Sequence, residues 1–183
     1  KKFSYMVCVF IGVSCSKMPN STISVENAMI NGNVQKIEKY FKKGFSPNEK
    51  SMSGDPLVFV AISLSNIEIL ELFIKYKANL NVMDSNGYYP IHRAALNNKT
   101  EIVKFLLDKG VDINLQAMNG ETPLMVACKS SGSDTFKYLL ENGADIKIKE
   151  QNGLTVLFTA ISHFNTEAVR RLYAVGVDIN DDD

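Results

Sequence analysis

Residues 119–127 read Asn-Gly-Glu-Thr-Pro-Leu-Met-Val-Ala, and this stretch decides how the rest of the sequence folds. A Thr-Pro pair before an apolar run predicts a helix start, because the hydroxyl caps a free N–H and proline fits the first helical position. The alanine that ends the stretch returns every 33 residues. The series is Ala28, Ala61, Ala94, Ala127 and Ala160. A fixed period of this length is typical of a stacked repeat array.

Two glycine series and one asparagine series keep the same period. The first glycine series is Gly54, Gly87, Gly120 and Gly153. The second is Gly44, Gly110, Gly143 and Gly176, with Lys77 in the missing place. The asparagines are Asn48, Asn81, Asn114 and Asn180, with Lys147 in the remaining place. Glycines of the second series follow apolar residues at helical spacing, where a left-handed residue ends a helix at little steric cost. Each unit is therefore predicted to be helix, short turn, helix and projecting loop.

Two stretches carry a resemblance to a known family. Residues 119–127 and residues 86–95, Asn-Gly-Tyr-Tyr-Pro-Ile-His-Arg-Ala-Ala, resemble the ankyrin motif, Thr-Pro-Leu-His-x-Ala in a repeat of about 33 residues. Residues 101–114 are similar to the family's outer helix and exit loop. The resemblance covers residues 20–180 and implies an all-α ankyrin-repeat solenoid of stacked helix-turn-helix units.

The first and last copies differ from the middle ones on the outer helix. One position carries Leu72, Phe105 and Tyr138 in the middle copies but Lys39 and Arg171 in the end copies. Terminal repeats need a polar outer face, so we expect a complete array with a cap at each end. The expected boundaries are an N-terminal capping repeat at 22–48, ankyrin repeats at 49–81, 82–114 and 115–147, and a C-terminal capping repeat with an acidic tail at 148–183.

The N-terminus is predicted to direct export. Two lysines, an apolar run at residues 5–13 and small residues around Cys15 are typical of a secretory signal peptide. The run is shorter than the about 20 apolar residues that span a bilayer. Residues 12–15, Gly-Val-Ser-Cys, resemble a bacterial lipobox, although Gly12 replaces the usual leucine. We therefore expect a signal peptide at 1–15, lipidation of Cys15 at a bacterial envelope and a polar tether at 16–24. Ordinary secretory cleavage and an extra packed N-terminal helix stay open as alternatives.

Residues that could catalyse a reaction or bind a metal are few and lie far apart in the sequence. Twenty basic residues balance 20 acidic ones, so no electrostatic footprint for nucleic acid is visible. The sequence has no phosphate-binding glycine loop, nucleophile elbow or paired-histidine helix. His92 is predicted to make a structural hydrogen bond, His163 has no second ligand in sequence reach, and Cys128 is expected to be a small buried hydrophobe. We expect no enzymatic activity, no cofactor and no metal.

The resemblance implies binding through the loop tips and the exposed side of the first helix in each repeat. The tip candidates are Met52, Asp55, Ser85, Asn86, Tyr88, Met118, Asn119, Glu121, Gln151 and Leu154. The helix candidates are Leu96, Asn97, Lys129 and His163. Tyr88 is the first hot-spot candidate because aromatic residues often anchor interfaces. We expect Tyr88→Ala to weaken partner binding while leaving thermal stability nearly unchanged.

The sequence as a whole favours a monomeric protein-binding module that scaffolds or modulates another protein at an envelope. Its only contact with a membrane would be the lipid anchor. A freely secreted protein that engages a host protein is the first alternative. A small-molecule or enzymatic role that uses His92 or His163 is the second.

Overall fold

The computed structural model describes residues 20–130 and 132–176, and their regular structure is helical. The helices are α1 Asn20–Ile30, α2 Val34–Lys42, α3 Leu57–Ser63, α4 Ile67–Lys75, α5 Pro90–Leu96, α6 Thr100–Asp108, α7 Pro123–Cys128, α8 Asp134–Glu141, α9 Val156–Ser162 and α10 Thr166–Ala174. Within these residues the only β-type pairing is an isolated bridge between Lys50 and Pro56. The predicted all-α class is confirmed.

The helices come in pairs joined by short turns, and asparagine side chains start the second helix in several pairs. The side-chain oxygens of Asn33, Asn66 and Asn165 each accept a hydrogen bond, 3.0 Å long, from the backbone N–H three residues later. Such a cap satisfies one of the N–H groups that a helix start leaves without a partner. Thr122 caps α7 in the same way, as predicted, by accepting from the N–H of Met125. Tyr89, which replaces threonine one repeat earlier, makes no side-chain cap.

The described residues form two compact units, 20–86 and 87–176. In the first unit α1 pairs with α2 and α3 with α4, while α1 packs on α3 and α2 on α4. In the second unit the pairs are α5–α6, α7–α8 and α9–α10. There α7 packs between α5 and α9, and α6 packs on α8. Each unit therefore has a layer of inner helices and a layer of outer helices, one of each per repeat.

The alanine series lies where the inner helices meet. Ala61, Ala94, Ala127 and Ala160 have no exposed surface, and Ala28 retains 2%. A larger side chain at these points would force neighbouring helices apart or into strained rotamers. The 33-residue alanine period is therefore a packing requirement that every repeat shares.

The asparagine series joins the exit loops of successive repeats. The side-chain oxygen of Asn48 accepts from the N–H of Asn79 at 2.7 Å, and that of Asn114 accepts from the N–H of Asp145 at 2.8 Å. Each bond reaches 31 residues along the chain, from one repeat to the next. The sequence shows that the asparagine recurs, but it does not indicate these contacts between loops.

The N-terminal boundary differs from the expected one. Residues 20–24, assigned to the tether at 16–24, are the first turns of α1, and Thr22 is only 2% exposed. That part of the tether prediction is wrong, and the first repeat begins earlier than residue 22. The predicted signal peptide with Cys15, residues 16–19 and the acidic tail lie outside the described residues.

The inner helix of the last repeat exposes apolar side chains. Phe158 and Ile161 on α9 are 50% and 51% exposed. They follow Met125 and Cys128 by one period of 33 residues, and those two side chains are only 1% and 0% exposed. The polar position predicted for the C-terminal cap is on the outer helix α10, where Arg171 pairs with Glu167 at 2.8 Å.

Two glycines in corresponding loops allow a matched stability test. Gly120 and Gly153 have φ values of +82° and +81°, where any L side chain is strained by about 1–2 kcal/mol. A Cβ at Gly120 would also lie 2.8 Å from the backbone nitrogen of Gln151, whereas one at Gly153 would meet nothing within 4 Å. We expect Gly120→Ala to lower the free energy of unfolding by about 1–3 kcal/mol more than Gly153→Ala. Urea unfolding followed by circular dichroism measures the difference, and equal losses would contradict the close approach.

Candidate functional site

The loop tips of the second unit are joined to one another by backbone hydrogen bonds. The N–H of Met118 donates to the carbonyl of Gly87 at 3.0 Å. The N–H of Gln151 donates to the carbonyl of Asn119 at 3.1 Å. These bonds link three consecutive loops, so the side chains at their tips stand on a fixed backbone. We call Met118, Asn119 and Gln151 the tip row.

Tyr88, the predicted hot spot, is held inside this structure. Its ring is half-buried and stacks on the ring of His92, with centroids 5.9 Å apart. Its hydroxyl donates to the carboxylate of Glu121 at 2.7 Å. Burial and the hydrogen bond to Glu121 both raise the pKa of the Tyr88 hydroxyl. Because these contacts are internal, we now expect Tyr88→Ala to reduce stability, contrary to the expectation from sequence.

Glu121 is the centre of a polar network beneath the loop tips. It is only 8% exposed, and its carboxylate lies 2.7 Å from the ammonium of Lys129. The Asn119 side chain also donates to it, at 2.8 Å. Burial alone raises the pKa of the Glu121 carboxyl, but the hydrogen bonds from Lys129, Asn119 and Tyr88 outweigh burial, and the net pKa is below its ordinary value.

The pKa of Lys129 shifts in the opposite direction to that of Glu121. Burial lowers the pKa of its ammonium, but the bonds to Glu121 outweigh burial and raise the net pKa above its usual value. Both members of the pair are therefore charged near neutral pH. A buried charge keeps its ionised form only when it is paired and hydrogen-bonded, as Glu121 is here. The network thus joins the C-terminal end of α7, at Lys129, to the loop that carries Tyr88.

The two histidines have ordinary structural contacts. His92 has no exposed surface, and its Nε2 lies 2.9 Å from the backbone oxygen of Glu121, so the predicted structural hydrogen bond is confirmed. His163 is exposed at the end of α9, with Nδ1 3.0 Å from the carbonyl of Thr159. Residues 20–130 and 132–176 contain no group of three or more His, Cys, Asp or Glu placed to hold a metal ion. Cys128 is buried, as expected, which raises the pKa of its thiol to about 12.

The remaining candidates divide by exposure. Met118 is 71% exposed, whereas Met52, Leu96 and Leu154 are half-buried. The exposed polar candidates are Ser85, Asn86, Asn97, Asn119 and Gln151. Asp55 is half-buried and accepts from the N–H of Ser85 at 2.7 Å, which joins two candidates of the first unit. The structure thus groups the candidates within each unit and identifies Met118 as the most accessible apolar one.

Several exposed apolar side chains outside the candidate set lie in the last repeat. Phe158, Ile161 and Phe164 are exposed, and Phe164 reaches 89%. The sequence gives no signal for the first two, because their equivalents one period earlier, Met125 and Cys128, are also apolar and yet are buried. No helix described in residues 20–130 and 132–176 is long and apolar enough to cross a membrane.

The lowered pKa of Glu121 predicts a pH-dependent contribution to stability. A carboxyl with a depressed folded pKa stabilises the fold above its unfolded pKa of about 4.3, and this contribution is lost as pH falls through the folded pKa. We expect Glu121→Gln to lower the free energy of unfolding by about 1–3 kcal/mol at neutral pH. The difference from wild type should shrink below about pH 4.

Urea titrations at neutral and acidic pH measure this effect. Glu101→Gln is the matched control, because the Glu101 side chain is 71% exposed and pairs with Lys104 at the surface. Exposed pairs contribute little, so the control should be close to wild type at both pH values. A Glu121→Gln deficit that stays constant on acidification would show that the carboxylate charge is not what stabilises the network.

Comparisons with known proteins agree with this geometry. The family model described as ankyrin repeats (3 copies) matches residues 25–117 and 110–183. A fowlpox virus (strain NVSL) protein named as an ankyrin repeat protein is 30% identical over 70 residues, which are 38% of this chain. The match covers 9% of the relative's length. The chain belongs to the ankyrin-repeat family, whose repeats mediate binding to other proteins.

Proposed function

We propose that the chain is a non-catalytic scaffold or modulator that binds a partner protein through the tip row of its second unit. The observation that carries this proposal is the 71% exposure of Met118 on a loop whose backbone is fixed to its neighbours. An apolar side chain on a pre-ordered backbone gains contact area on binding with little loss of backbone entropy. Methionine also adapts its shape to a partner surface.

The side chains around Met118 suit the rim of an interface. Asn119 and Gln151, the other two residues of the tip row, are exposed amides. Polar groups at a rim supply hydrogen bonds and leave the apolar centre to exclude water. Below them, the pair Glu121–Lys129 holds the loop in place, so it contributes to the site by positioning.

The proposal also includes a location. We infer from the apolar run and the lipobox-like residues 12–15 that the chain is exported to a bacterial envelope and lipidated at Cys15. Free secretion with a host protein as the partner is the alternative, and the similar fowlpox protein is viral. A small-molecule or enzymatic role is less favoured, since the His92 side chain is fully buried and out of reach of a substrate.

The tip row can be tested by site-specific photo-crosslinking. A photoreactive phenylalanine derivative at Met118 should crosslink a discrete partner in cells, whereas the same group at Lys137, exposed on the outer helix α8, should not. Met118→Ser should then weaken binding of the identified partner by about fivefold or more, because a central apolar anchor is lost. Equal crosslinking from both positions, or unchanged affinity of Met118→Ser, would refute this surface.

Lipidation is tested separately with the two N-terminal cysteines. When the full chain is expressed in a bacterium fed an alkyne-bearing fatty acid, we expect label on wild type and on Cys8→Ser. Cys15→Ser should lose both the label and recovery in the membrane fraction. Unlabelled wild type in the culture medium would support free secretion instead. This result would leave the tip-row proposal intact.

A further inference from the structure

The outer helix of the first repeat carries a different charge from the other outer helices. The helix α2 has three lysines and one glutamate, a net charge of +2. The helices α4, α6 and α8 each have one lysine and two carboxylates, a net of −1. The last outer helix, α10, has two arginines and one glutamate, a net of +1. The C-caps Lys43 and Lys109 bring α2 to +3 and α6 to 0, so α2 is the most positively charged outer helix.

Three of these lysines form one exposed line along α2. Lys36, Lys39 and Lys43 are spaced three and four residues apart, which places them on the same face of the helix. We call these three residues the lysine stripe. The only glutamate of α2, Glu38, pairs instead with Lys75 at 2.7 Å and with Lys42 at 3.4 Å. Among the described residues, none forms an ion pair with a lysine of the stripe.

The lysine stripe borders a concave surface. Of the described residues, the three lysines line an open depression together with Gln35 and Tyr40. Ammonium, amide and hydroxyl groups are all hydrogen-bond donors, so the lining suits an anion with several acceptor oxygens, such as a phosphate group.

The chain topology places one end of this surface near the start of α1. The helices α1 and α2 pack together across the three-residue turn 31–33, so they run antiparallel. The end of α2 that carries Lys43 therefore lies beside the start of α1 at Asn20. Cys15, the proposed lipidation site, precedes Asn20 by five residues, which span at most about 18 Å.

A lipid anchor and a nearby cationic surface act together at a membrane. Acyl chains on Cys15 would hold the chain at the bilayer, and a basic patch adds a second attraction to anionic lipid. Lys17, between Cys15 and α1, adds to the same charge.

We propose that the lysine stripe binds the phosphate headgroups of anionic phospholipids and holds the first repeat against the membrane surface. This inference rests on the proposed lipidation of Cys15, which would bring the stripe within reach of the headgroups. Each lysine near an anionic surface contributes attraction that falls off within a Debye length. The stripe would thus set the orientation of the first unit, with its outer helix α2 toward the lipid.

Vesicle flotation of the full chain tests the proposal. The vesicles are phosphatidylcholine alone, or phosphatidylcholine with about 30% phosphatidylglycerol, whose headgroup is anionic. The variant Lys36→Gln/Lys39→Gln/Lys43→Gln should bind the anionic vesicles about tenfold or more weakly than wild type. The wild-type advantage should disappear when salt is raised from about 50 mM to about 500 mM. On neutral vesicles the two proteins should behave alike.

The matched control removes three charges elsewhere. Lys104→Gln/Lys109→Gln/Lys137→Gln carries the same charge change on the outer-helix side of the second unit and should stay within about twofold of wild type. Circular dichroism confirms that both triple variants keep wild-type helicity. If the two triple variants lose anionic binding equally, net charge rather than the stripe is responsible and the proposal is wrong.

Two further experiments distinguish a failure of the membrane anchor from a failure of the lysine stripe. Cys15→Ser, which cannot be lipidated, should lose binding to neutral vesicles, which tests the lipid anchor alone. Unchanged binding of Cys15→Ser to neutral vesicles, with stripe-dependent anionic binding retained, would refute the anchor and support the stripe. A stripe variant that matches wild type on anionic vesicles would overturn the inference. A single-stranded oligonucleotide that binds through the stripe more tightly than the vesicles at equal salt would overturn it in favour of a nucleic-acid surface.

Discussion

The structure depends on the close approach of inner helices at the alanine positions. Ala94, Ala127 and Ala160 have no exposed surface and lie on α5, α7 and α9, where α7 packs between the other two inner helices. Packing at this distance fixes the spacing of the repeats and therefore of every loop attached to them. An added methylene here would strain the stack, because dense cores relax poorly around extra volume.

The binding surface follows from a backbone constraint in the same way. Gly120 lets its loop approach the next one so closely that a Cβ would lie 2.8 Å from the nitrogen of Gln151. The hydrogen bond from Gln151 to Asn119 depends on this approach. Met118 is exposed on a loop that is fixed by such bonds, which explains how an apolar side chain at a loop tip becomes a defined contact point.

Tyr88 is held by contacts that the sequence pattern does not reveal. The 33-residue spacing placed Tyr88 correctly in a projecting loop, and its aromatic ring suggested a residue that anchors an interface. Its partner Glu121 lies 33 residues later, and their contact makes the tyrosine part of an internal network with Lys129. Whether a loop residue is exposed depends on side chains from the next repeat. Its position within its own repeat therefore does not predict its exposure.

The sequence by itself determined the all-α repeat architecture, the caps such as Thr122, and the structural role of His92. These features are local or periodic, since helix starts and small packing residues must recur at fixed spacing for repeats to stack. Only the tertiary structure decided which candidates reach solvent: Met118 does, Tyr88 largely does not, and Phe158 and Ile161 do although their equivalents are buried. The physical reason is that burial is a property of the neighbouring repeat, which covers one face of each helix pair and leaves another open.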